Sequence, residues 1–165
     1  MLMIPEREYG ERGWIVHRWN YKNDEITVLQ REPFRLSWFA TQLVTFVFLI
    51  PYGVEDFSEI ANDYSLFRKF SGKNKRSQVP FLLQCGYAIL PIYISGSFSS
   101  QVIENVQTTE EIKLGVFYNP SLLETQTGHL YTLKRKSTYG CVYRNYMHST
   151  ICEIANLVMR YQEKL

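Results

Sequence analysis

His148 and Cys152 stand four positions apart near the C-terminus. On a helix that spacing puts both side chains on one face, within reach of a thiolate–imidazole pair or of one half of a metal site. Nucleophilic catalysis also needs a group that orients the imidazole and donors for an oxyanion, and a zinc site needs three or four ligands. Neither requirement is met in the sequence, because His17 and His129 come with no second Cys or His at ligand spacing. Cys152 therefore reads as a small residue on a helix face.

Glu111, Ile112 and Lys113 spell an ExK at the start of a strand-like run, which resembles the tail of a metal-dependent nuclease pattern. That chemistry needs a second acidic ligand from an adjoining strand, and the run YAILPIYIS holds none. Hydrolase or nuclease chemistry at His148, Cys152 or Glu111 thus ranks last among the functions considered, and no metal or cofactor is expected.

Two binding constellations rank higher. Ser95, Gly96, Ser97, Ser99 and Ser100 lie between a strand and a helix, and small residues with free amides at a helix N-terminus can hold a phosphate or carboxylate. The stretch lacks the lysine of a P-loop and the spaced glycines of a dinucleotide site, and serines at such places commonly serve as caps. Further on, Lys134, Arg135 and Lys136 are followed by Tyr139, Tyr143 and Arg144. Cations for phosphates and rings for bases, interleaved in this way, suit single-stranded nucleic acid or another anionic partner. The competing interpretation is a solvated hairpin end followed by a helix whose tyrosines face the core.

The elements that must position these groups follow from hydrophobic periodicity. GWIVHRW and EITVLQ, separated by Asn20, Tyr21, Lys22, Asn23 and Asp24, predict a hairpin. Residues 36–52 read LSWFATQLVTFVFLIPY, too short and too polar to span a membrane, and predict a buried strand closed by Pro51 and Gly53. Phe57, Ile60, Ala61, Tyr64 and Phe67 form a helical stripe, with Asp56 and Glu59 as a capping pair and Arg68 and Lys69 near the far end. Residues 71–78, SGKNKRSQ, predict a polar loop, and Pro80 followed by FLLQC and Gly86 predicts a short helix.

YAILPIYIS then returns to strand, at a sheet edge or with a bulge because Pro91 cannot donate to a ladder. A brief helix follows, capped by Ser97 or Ser99 with Val102, Ile103 and Val106 inward. IKLGVFY predicts one strand and Asn119 with Pro120 a turn. LLET and HLYTLK around Gln126, Thr127 and Gly128 predict a second hairpin. Tyr143, Met147, Ile151, Ile154, Ala155, Val158 and Met159 mark one face of a long C-terminal helix.

Strands separated by helices imply crossovers and a partly parallel sheet, and the hairpins add antiparallel strands at both ends. The expected fold is α/β, or α+β, with a mixed sheet covered by helices in a single domain of residues 1–165, of which 1–12 form a loose N-terminal segment. In such sheets ligands sit beyond the carboxyl ends of parallel strands, here Pro51, Tyr52 and Gly53 on one strand and Ser95, Gly96 and Ser97 on the other.

Composition sets the outer bounds. The 165 residues are 45% hydrophobic and 21% charged, which excludes disorder and charged tails, and the net charge of +2 neither demands nor forbids an anionic partner. Three cysteines, Cys85, Cys141 and Cys152, form no CxxC pair and suit a reducing compartment, and the charged N-terminus lacks the apolar run of a signal peptide. A soluble, cytoplasmic location is expected. Aromatic residues make up 15%, an excess that serves cores and interfaces alike. On this basis the expected function is a non-enzymatic binding or protein-interaction module, favouring a protein partner or self-association as a homodimer. The alternative is a phosphorylated or nucleic-acid ligand held by the serine-rich and basic aromatic stretches.

Overall fold

The computed structural model describes residues 4–35, 41–75, 84–108, 111–113, 116–134 and 141–163. Helix α1 (Glu6–Gly10) leads into a hairpin of strands β1 (Ile15–Tyr21) and β2 (Asp24–Arg31). The turn is only Lys22 and Asn23, both at positive φ (51° and 72°), as a two-residue hairpin turn that follows strand twist requires. Asn20, Tyr21 and Asp24, which read as turn residues in the sequence, are paired in the ladder. At the N-terminal end Ile4 and Tyr9 are buried, so α1 is packed onto the body.

Beyond the hairpin come β3 (Phe34–Arg35), β4 (Thr41–Ile50), helix α2 (Phe57–Asn74), β5 (Gln84–Ser95) and helix α3 (Ser100–Thr108). Four short strands follow, β6 (Glu111–Lys113), β7 (Val116–Tyr118), β8 (Ser121–Glu124) and β9 (Leu130–Tyr131), and then helix α4 (Cys141–Gln162). Among the described residues these make one mixed α+β sheet of nine strands, in the order β1-β2-β4-β5-β7-β6. β3 flanks β4, and β8 with β9 flanks the far half of β5. β4 and β5 are parallel, as are β5 with β7 and β5 with β8, while the hairpin pairs are antiparallel.

Both faces of the sheet are covered. In β4, Leu43, Val47 and Leu49 face α4, whereas Val44, Phe46, Phe48 and Ile50 face α2 and α3. A strand buried on both sides needs a continuous apolar run, which is why this segment resembled a membrane span in the sequence. Among the described residues no helix is long and apolar enough to cross a membrane. Helix α2 starts where expected, with the Asp56 side chain accepting from the Ser58 amide and Glu59 reaching back to the Asp56 amide. It buries Ile60, Tyr64 and Phe67, the last with its ring centroid 4.5 Å from that of Phe48. Helix α4 buries Tyr143, Tyr146, Met147, Ile151, Ile154, Ala155, Leu157 and Val158. Arg31 of β2 ties that face together, its guanidinium 4.1 Å from the Trp14 ring centroid and 3.6 Å from Glu153 of α4.

Four local readings are corrected. Ser71, Gly72, Lys73 and Asn74 continue α2 and are not loop, because Ser71 is fully buried and the Asn74 carbonyl accepts from Gln30 at 3.2 Å. Gln84 and Cys85 begin β5 and are not helical, since Gln84 pairs in parallel with Gln42 of β4; residues 76–83 lie outside the described residues. The run IKLGVFY contributes to two antiparallel strands, β6 and β7, with residues 114–115 outside the described residues.

Pro91 is the fourth correction: its strand is central and regular there, with Pro91 opposite Phe48 of β4. The carbonyl of Ile89 accepts from the Asn119 amide, and alternation aims the nitrogen of Pro91 to that same side. There β5 changes partner, from β7 at Tyr87–Ile89 to β8 at Ile92–Ser95. The missing N–H falls opposite Asn119, where β5 passes from one partner to the next, so the proline forgoes one ladder bond at that break and the strand stays central.

Candidate functional site

The parallel strands β4 and β5 do bring their carboxyl ends together, as expected of such a sheet. A Cβ placed on Gly53 would lie 2.8 Å from Ser95 Oγ, so only glycine allows this approach. The crevice is filled from within. The carbonyl of Ser95 accepts from both the amide (2.8 Å) and the hydroxyl (3.1 Å) of Thr125, and Gln126 packs against Gly96. The carboxylate of Glu124, itself only 8% exposed, accepts from the Phe98 amide at 3.4 Å and from the Thr127 hydroxyl. Ser99 caps α3, its Oγ accepting from the Val102 amide at 3.3 Å, and Ser97 and Ser100 lie exposed beside it. An internal carboxylate thus already uses an amide that a bound anion would want, and it repels a second negative charge.

The basic aromatic stretch is split. Lys134 is exposed, its amide donating to the Gln107 carbonyl at the end of α3, while Arg135, Lys136 and Tyr139 lie outside the described residues. Tyr143 is buried with its ring centroid 5.4 Å from that of Phe117, so it serves the core and offers no face to a base. Arg144 is half-buried in the first turn of α4.

His148 and Cys152 do share a face of α4, with His148 Nε2 3.6 Å from Cys152 Sγ. Burial pushes the Cys152 thiol up from its ordinary value, opposite to what a nucleophilic or metal-binding cysteine needs. Glu111 sits in β6, at the end of the sheet path. Among the described residues no group of three or more His, Cys, Asp or Glu side chains is placed to hold a metal.

Two arrangements emerged that sequence reading missed. The first is a buried polar cluster around Asp63 of α2, which is 1% exposed. Lys22, at the hairpin tip, places its Nζ 2.8 Å from Asp63 Oδ1, and the Tyr93 hydroxyl donates to Oδ2 at 3.0 Å. Tyr21 stacks on Tyr52 with ring centroids 6.3 Å apart, and burial next to the aspartate pushes Tyr52 up to about 12 and Tyr21 and Tyr93 well above their ordinary range. These tyrosines are kept neutral around one carboxylate, to which Tyr93 is the donor. With Asp63, Tyr21 and Tyr93 all at 1% exposure or less, the cluster joins the β1–β2 hairpin to α2 and β5 and admits no substrate.

The second is an open groove of about 430 Å³ on the outer side of α2, lined by Tyr64, Arg68, Lys69, Gly72 and Lys73, with Tyr87 of β5 opposite. Arg68, Lys69 and Lys73 are exposed and make no ion pair with any described residue. Among the described residues no carboxylate lines the groove, so three cations converge on one concavity in a chain whose net charge is only +2. Lys75 lies nearby, its ammonium 5.8 Å from the Tyr87 ring centroid. In the sequence, Arg68 and Lys69 read as complements to the helix dipole, and Lys73 fell in the predicted loop. The available signal was the basic run itself, but no local pattern pairs α2 with Tyr87, which stands fourteen residues beyond Lys73. Comparison with protein-family models, with curated proteins and with solved structures finds no match to this chain.

Proposed function

We propose that this protein is a non-enzymatic binding module and that its ligand is anionic, held in the α2 groove. The observation that carries this reading is the convergence of Arg68, Lys69 and Lys73 on a concavity of about 430 Å³ walled by tyrosines. That size lies within the ordinary range of small-molecule sites, and unpaired guanidinium and ammonium groups make the stronger, charge-assisted hydrogen bonds to phosphate or carboxylate. The other polar clusters lean away from catalysis: the carboxylates of Asp63 and Glu124 are engaged by internal partners, and the Cys152 thiol is raised. The aromatic excess by itself does not favour a protein interface over a small ligand. Most of the described aromatic side chains pack in the two core clusters, and the large exposed hydrophobics are Ile15 and Leu66, on different elements.

Thermal unfolding with pyrophosphate at low and high salt tests the proposal. At about 100 times its Kd a ligand stabilises the native state by about 2.7 kcal/mol, which for a domain of this size raises the midpoint by roughly 5–10 °C. The rise should shrink at high salt and vanish when Arg68 and Lys73 are both changed to alanine. A rise of equal size in that double variant would assign the anion to another place, and no rise with any polyanion would end the proposal.

A further inference from the structure

Building on the reading that the α2 groove takes an anion, we propose that its ligand is a phosphate monoester carrying a flat ring, a single mononucleotide unit. The phosphate sits over Gly72 among Arg68, Lys69 and Lys73, and the ring lies against Tyr87.

Gly72 is the first support. Glycine inside a helix weakens it relative to alanine, and it is usually explained by positive φ or by crowding. Neither applies here: Gly72 is not at positive φ, and a Cβ built on it meets nothing within 4 Å. What this glycine contributes is open space. It stands four residues after Arg68, three after Lys69 and next to Lys73. On a helix the first two spacings put Arg68 and Lys69 beside the bare backbone, and Lys73, four residues after Lys69, stands at its edge, giving a dent with room for a phosphate and donors at its rim.

Tyr87 is the second support. It forms the opposite wall, half-buried, and its ring already attracts the Lys75 ammonium 5.8 Å from its centroid. A ring across from a cationic dent is the pairing that nucleotides use, stacking at one end and charge at the other. The groove of about 430 Å³ matches the size of one such unit.

The test is calorimetric titration of the full chain at low salt with inorganic phosphate, ribose 5-phosphate, adenosine 5′-monophosphate and a short oligoadenylate. The monophosphate of adenosine should bind about 10-fold more tightly than ribose 5-phosphate, the gain expected from stacking one base. Tyr87→Leu should erase that gap and leave ribose 5-phosphate unchanged. Gly72→Leu should weaken every phosphate ligand at least about 10-fold while its melting midpoint stays at or above that of the unaltered chain, since leucine is the better helix former. Gly72→Ala, which adds only a methyl group, serves as the milder check on the same dent. Equal binding of ribose 5-phosphate and the adenosine monophosphate would overturn the ring assignment and leave the anion groove standing. An oligoadenylate that binds more than about 10-fold tighter, with a steep salt dependence, would overturn the single-unit assignment in favour of a strand. Failure of all four ligands to bind would remove both this proposal and the anion reading beneath it.

Discussion

Changing Lys22 to methionine should destabilise the protein by about 2 kcal/mol, and nearly all of that loss should disappear when Asp63 is asparagine. The ammonium of Lys22 lies 2.8 Å from a carboxylate that is 1% exposed, so its removal leaves an aspartate in the core with the Tyr93 hydroxyl as donor but no countercharge. Breaking a fully buried pair from one side costs about 3–5 kcal/mol, whereas exposed pairs are worth about 0–1 kcal/mol. The Lys22 side chain is 41% exposed and water screens it, which places the cost between those limits. Methionine keeps an unbranched stem at a position with φ of 51°, so the backbone penalty of the turn does not change. The assay is a double-mutant cycle of K22M, D63N and the pair in urea, with thermal midpoints as a second readout. For a chain of this size about 2 kcal/mol corresponds to roughly 4–8 °C. If K22M costs the same in both backgrounds to within about 0.5 kcal/mol, the two residues are energetically independent and the cluster does not anchor the hairpin.

Three further outcomes are expected. Because Tyr21, Tyr52 and Tyr93 ionise less readily folded than unfolded, their contribution is complete below pH 10, the ordinary tyrosine value, and falls as pH rises toward about 12, where Tyr52 titrates; tyrosinate absorbance should rise together with loss of circular dichroism, and stepwise titration of a still folded chain would contradict this. Glu124→Ala should cost about 1–3 kcal/mol by leaving the Phe98 amide and the Thr127 hydroxyl without their acceptor, and should speed hydrogen exchange at Phe98; unchanged exchange there would show that the carboxylate does not close the strand-end crevice. Iodoacetamide at neutral pH should alkylate Cys152 no faster than a simple thiol, with His148→Ala leaving the rate unchanged, as followed by mass spectrometry of that peptide; a rate enhanced by His148 would restore the thiolate pair.

Most of the architecture was legible along the chain. The Asp56–Glu59 cap, the Ser99 cap, the two hairpins and the apolar face of α4 are all carried by residues within a few positions of one another, and periodicity or turn chemistry reports such features directly. The aromatic excess was legible as a number but not as a location, because the same ring can serve a core or a surface, and only the packing of Phe67, Phe48 and Tyr143 into clusters decides it. Pro91 shows a related limit. A proline does exclude a ladder bond, as its local chemistry says, yet whether that matters depends on what lies opposite, and opposite it the sheet changes partner between β7 and β8.

The candidate sites divide along the same line. His148 and Cys152 met on one face because helical spacing alone brings them there. Glu124 closes the crevice beside Phe98 from twenty-six residues away, Asp63 reaches Tyr93 across thirty, and Tyr87 of a buried strand faces Arg68 and Lys73 of a helix. By itself the sequence determined the class of fold, most of the element types and the caps of α2 and α3, since these rest on local conformational preference and the period of apolar residues. Only the tertiary structure decided which charges are neutralised and which are left facing solvent. Charge pairing and concavity are properties of groups brought together by chain closure, and distance along the chain carries almost none of that information.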